Sequence, residues 1–168
     1  MKKVGERGEM QISFGMIFSI ILIIFFLSFA FFGIRTFLGI QDTAKTTKFL
    51  IDLQSDVEKV WKSSQVSQEK NYLLPGKKSS VCFADFKVQA TGENAQIYSE
   101  LKRAYYGNEN MVFYPVSFDE IGSTEIKYLN LAEITRNENP FCIENINGKV
   151  KLRLTKDLSD ALVTITRP

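Results

Sequence analysis

Cys82 and Cys142, sixty positions apart, are the residues of this chain best suited to chemistry. Neither has the short paired spacing of a zinc knuckle or a redox-active dithiol. Both fall in runs of strand-forming residues, so a structural bridge between two strands of a small domain suits them in an oxidising compartment. Closing a loop of that size would contribute roughly 4 kcal/mol through chain entropy. The alternative is two buried free thiols acting as small hydrophobes. Histidine is absent. That removes the commonest general base near neutral pH, the usual activator of a Ser or Cys nucleophile and the commonest metal ligand. The acidic residues are scattered, with no local pattern that selects a catalytic pair. The expectation is a non-enzymatic protein with no cofactor, metal or catalytic set.

Charge points the same way. Lys and Arg number 21 against 19 Asp and Glu, with no long run of either sign. The basic pairs Lys77-Lys78 and Lys102-Arg103 are isolated, and solvated surface charge explains them better than a phosphate-binding patch. No nucleic-acid partner is expected.

The elements that must position these residues begin with an uncharged run of 23 residues, Ile12 to Ile34. At about 1.5 Å per helical residue it covers roughly 35 Å, slightly more than the ~30 Å hydrocarbon core of a bilayer. A chain of 168 residues has no core large enough to surround a helix apolar on every face. The organisation expected is a basic leader or cytoplasmic tail over 1–11, a transmembrane helix over 12–34, an amphipathic helical extension over 35–64 and an α+β head over 65–168. The lipid bilayer is the first partner. In the extension, Phe37, Ile40, Ala44, Thr47 and Ile51 step by three or four, and Leu50, Leu53, Val57 and Val60 continue the alternation beside Trp61. Gly33 and Gly39 are weak points in one continuous helix. The apolar stripe needs a cover, from the following domain or from a neighbouring copy.

Polar residues 63–71 end the helical pattern, and Pro75-Gly76 marks a turn. Short strands are expected from there, making the head β-rich and mainly antiparallel with one short helix. The segment 81–86 is strand-like, 94–106 reads as the helix, and 111–118 is a strand with a break or edge position at Pro115. Residues 126–134 fit strand or helix. The clearest local signal is Asn147-Gly148, the preferred type I′ dipeptide, between Phe141–Ile146 and Lys149–Leu154. Val150, Leu152 and Leu154 alternate with Lys149, Lys151 and Arg153, which wets one face only. Residues 161–166 close the sheet.

Flanking charge leaves orientation open: Lys2, Lys3 and Arg7 precede the span, and Arg35, Lys45 and Lys48 follow it. A compact basic tail is easier to retain in the cytoplasm, and long domains cross largely regardless of charge. With the cysteines, this favours a single-pass protein of the cell membrane, N-terminus cytoplasmic and C-terminal domain outside. The run Arg7-Gly8-Glu9-Met10-Gln11-Ile12-Ser13-Phe14-Gly15 resembles the N-terminus of archaeal type IV pilin-like proteins, including archaellins. In those, a short basic leader ends in Arg-Gly or Lys-Gly ahead of a long apolar helix. The resemblance implies leader processing at Arg7, Gly8 and Glu9, with the cut between Gly8 and Glu9. Glu9 stands where archaellins usually carry Gln, and Ser13 where many pilins carry Glu. Two functions follow. One is a pilin-like or pseudopilin-like envelope subunit that self-associates through its N-terminal helix, with Phe14, Phe18, Phe25, Phe29 and Phe32 spaced for lateral contact. The other is a single-pass anchored binding or accessory domain for an unidentified envelope protein, with Tyr105, Tyr106 and Tyr114 as candidate recognition aromatics.

Overall fold

Helix α1 runs from Phe14 to Lys62 and passes through Gly33 and Gly39 without a break. The computed structural model describes residues 14–117 and 121–168. The chain divides after Ile40 into two units. In the first, the large apolar side chains from Phe14 to Ile40 are exposed, the phenylalanines at 14, 18, 25, 29 and 32 among them. Among its described residues the hydroxyls are bonded within the helix: Ser19, Ser28 and Thr36 each donate to the carbonyl four residues back, at 2.8, 2.8 and 3.0 Å.

The second unit, Gln41–Pro168, is built on an antiparallel sheet. Its strands are β1 (Val66–Leu73), β2 (Ser80–Phe83), β3 (Met111–Tyr114), β4 (Ser123–Thr124), β5 (Phe141–Ile146), β6 (Lys149–Lys156) and β7 (Thr164–Thr166). Their order is β1-β6-β5-β2-β3-β4, with β7 beside the far half of β6, so β1 forms an edge. The fold is α+β, as the sequence implies.

The remainder of α1 lies on one face of this sheet. Phe49, Leu53, Val57 and Val60 are fully buried there, against Val81, Phe83, Phe113, Leu152 and Leu154 among others. Phe49 meets Tyr72 and Phe113 edge to face at 5.4 and 5.6 Å. The domain itself therefore covers the stripe. The stripe differs from the expected one in its N-terminal part. The buried positions run back from Val60 to Phe49 and Thr46, whereas Phe37, Ile40, Ala44 and Ile51 are exposed. The cover begins only at Thr46, and Ile51, about 200° around the helix from Leu53, faces away.

On the opposite face, Cys82, Ala84, Phe86, Leu101, Ala104, Val112 and Cys142 make a smaller core. The helical run over it alternates in type: 3-10 turns at Glu93–Ile97 and Lys102–Ala104 flank α2 (Tyr98–Leu101). β2 is thus buried on both faces, which is why Val81 to Ala84 reads as an unbroken apolar run.

Strand β1 is a second departure. Residues 63–71 read as a polar terminator, yet Val66–Leu73 pairs with β6 along its whole length. Two of its inward positions, Gln68 and Lys70, are polar, which hides the period-two pattern. At Pro115 the strand does break, after Tyr114; β3 is not an edge, since β2 and β4 flank it. Phe118, the end of the expected strand, lies outside the described residues. The ambiguous 126–134 resolves into a bridge from Leu129 to Val163 and α3 (Leu131–Ile134), capped by Asn130, whose side chain accepts from Glu133 N. The hairpin forms as expected, with Asn147 at φ 54° and Gly148 at φ 78°.

Leu53 is 0 % exposed and Ile51 63 %. Thermal unfolding of the full chain in detergent is expected to show Leu53→Ala costing about 3 kcal/mol. Ile51→Ala, two residues away, should cost under about 0.5 kcal/mol.

Candidate functional site

The helical run from Glu93 to Ala104 covers β2 and β3 and leaves the same face open over β5, β6 and β1, where Ser67, Glu69, Asn71, Leu73, Lys149 and Lys151 are exposed. The step between covered and open sheet is a groove of about 960 Å³. Ile97 and Asn94 wall it on the helical side, Tyr114, Ser80 and Cys142 lie in its floor, and Lys149, Lys151 and Arg167 border the open side.

Cys82 and Cys142 are direct cross-strand partners on β2 and β5, with Cα atoms 4.0 Å apart and their sulfurs joined in a disulfide. The spacing alone left a bridge and free thiols both open; the geometry brings the two together. The leader residues Arg7, Gly8 and Glu9 lie outside the described residues.

Polar pins hold the groove's walls. Arg167 donates to Glu138 and to the Cys142 carbonyl, both at 2.8 Å, and its guanidinium lies 4.5 Å from the Phe141 ring centre. Glu138 also accepts from the Asn94 amide, tying the helical run to the sheet. Asn139 bonds the 85–91 loop through Asp85 N, Asp85 O and Gln89 O. Asn145 donates to the Pro75 and Lys78 carbonyls at 3.0 and 2.7 Å.

Ser79 Oγ donates to the Tyr114 carbonyl. Ser80 Oγ lies 3.7 Å from Cys82 Sγ and must be the donor, since the sulfur is bonded. Neither hydroxyl contact is with a base that could activate it. Among the described residues no three His, Cys, Asp or Glu side chains converge to hold a metal ion. Of the candidate aromatics, Tyr114 lines the groove, Tyr105 packs on Phe86 with ring centres 4.9 Å apart, and Tyr106 is exposed. The basic pairs are dispersed: Lys77 bridges to Asp42 at 3.2 Å, Lys78 is buried over the Phe113 ring, and Lys102 lies over Tyr98.

A second polar cluster, not anticipated from the sequence, joins α1 to β1. Asp56, 8 % exposed, accepts from Tyr72 Oη at 3.1 Å and pairs with Lys59 at 3.0 Å and Lys70 at 3.3 Å. Burial by itself would push the carboxyl up. The hydrogen bonds from Lys59, Tyr72 and Lys70, with the Lys70 charge, outweigh it and hold Asp56 below the usual carboxylate range. Tyr72 moves the opposite way: burial and the Asp56 charge raise its phenol. The signal that could have revealed the cluster is an Asp interrupting the buried stripe between Leu53 and Val57.

Comparison with family models, curated proteins and solved structures finds no match to this chain.

Two measurements test these contacts. Because Asp56 titrates lower folded than unfolded, its contribution is full above the ordinary carboxylate range and fades as pH falls through its folded value. Asp56→Asn is expected to lose about 1–2 kcal/mol at neutral pH, with a shallower acid limb in its thermal-unfolding profile. Replacing both cysteines by Ser should cost roughly 4 kcal/mol and abolish the mobility difference between reduced and non-reduced samples.

Proposed function

We propose that this chain is a membrane-anchored, non-enzymatic structural subunit of the cell envelope, pilin-like in plan. Its helix sits in lipid or against copies of itself, and its disulfide-closed head lies outside the cell. The observation that carries this reading is the change of character within α1. Up to Ile40 its apolar side chains are exposed, and from Phe49 to Val60 they are sealed beneath a sheet. Exposed phenylalanine and isoleucine on all faces of a helix long enough to span a bilayer support an apolar surrounding. The serine and threonine hydroxyls, bonded back within the helix, suit a place without water. The cysteine bridge supports an oxidising compartment for the head, and hence the N-inside orientation.

The leader Arg7-Gly8-Glu9 supplies the specific part. A pilin-type peptidase would cut after Gly8 and leave the whole apolar helix on the mature protein. The groove beside the disulfide favours the second reading, an anchored domain that holds an envelope partner without forming filaments.

The mature N-terminus separates the two. Intact-mass measurement on membrane-extracted protein is expected to place it at Glu9, and Gly8→Val should leave the leader attached. An uncut chain at full abundance would leave only the anchored binding domain.

A further inference from the structure

Two segments far apart in sequence wall the groove: the start of the helical run, with Asn94 and Ile97, and the residues after β7, Arg167 and Pro168. One carboxylate joins them. Glu138 lies in the loop between α3 and β5, and its side chain is 14 % exposed. Its Oε1 accepts from the Asn94 side-chain amide, and its Oε2 accepts from Arg167 Nη2 at 2.8 Å. The same Arg167 nitrogen donates to the Cys142 carbonyl on β5, also at 2.8 Å. A line of hydrogen bonds therefore runs from the helical run, through Glu138 and Arg167, to the floor of the groove.

Glu138 is closely seated. Gly92, just before the helical run, has φ 81°, and a Cβ there would stand 2.9 Å from Glu138 Cγ and 3.1 Å from its Cα. Next to it, Thr91 and Asn139 exchange both backbone hydrogen bonds at 2.9 Å.

We propose that Glu138 makes the two walls a single clamp, in which the helical run and the Arg167 segment tighten and loosen together. Each donor fixes the carboxylate in one position. The other donor then meets an acceptor that is already ordered, so the entropy of placing it is lost once and not twice. Such coupling is reciprocal. An occupant that orders Asn94 and Ile97 thus also orders Arg167 across the floor, and the groove grips from both sides or from neither. That use of the clamp rests on the anchored-binding reading above; the coupling itself does not.

Amide hydrogen exchange of the full chain in detergent tests it. Asn94→Ala is expected to speed exchange about threefold at 164–167, on the far wall, and Arg167→Ala to do the same at 93–97. The double variant should exchange at either wall little faster than the single variants. Exchange over 66–73, on β1, should match the unaltered chain. Changes confined to the wall that carries the substitution overturn the proposal. Should Arg167→Ala loosen the whole sheet, Asn94→Ala, at a half-exposed position, decides alone by its effect at 164–167. Walls that respond together support the clamp whether or not the groove binds an envelope partner, so failure of the binding reading is a separate result.

Discussion

Burial of Phe49, Leu53, Val57 and Val60 under the sheet is the contact on which the rest of the head depends. Without it, the sheet has no cover over one face, and α1 would expose an apolar stripe into water. Among the described residues the helix supplies the only large layer on that side, so the head cannot be separated from the distal part of α1. The second unit accordingly begins at Gln41, within α1.

Specific polar contacts then fix how that apolar layer sits. Asp56 occupies one turn of the buried stripe and is satisfied by a phenol and an ammonium from β1. A slip of the helix along the sheet would strand a carboxylate beneath apolar residues, at a cost of several kcal/mol. Lys156 performs a similar task at the far end, donating to the Trp61 and Ser63 carbonyls at the C-terminus of α1. Asn139, Asn145 and the Glu138–Arg167 pair bind loops, while a smaller core lies on the other face. The disulfide crosses between β2 and β5 at the centre of this side.

Strong local chemistry made much of this legible beforehand. Asn147-Gly148 dictates its turn because both residues take positive φ, and the alternation on β6 names its buried face. The α+β class followed from a helical period giving way to strand-like runs. What escaped was set by tertiary partners. Strand β1 hides because Lys70 points inward to meet Asp56, a contact that spacing along the chain cannot reveal. The series Phe37–Ile51 has the right period for burial, but burial begins only at Thr46, and Ile51 lies on the side of the helix away from the core. The cysteines showed that a bridge was reasonable; only strand register showed that they face each other. The groove arises where the helical run stops short of β5, a feature of packing rather than of any motif.

The edge position of β1 has a consequence for any two copies that meet. Two such edges meeting antiparallel about a twofold axis must place some residue opposite its own counterpart. The two registers of longest overlap set Glu69 against Glu69 or Lys70 against Lys70, and like charges directly opposed disfavour the pair. An unguarded eight-residue edge would invite sheet-to-sheet fusion between neighbours. This one discourages it by its own sequence.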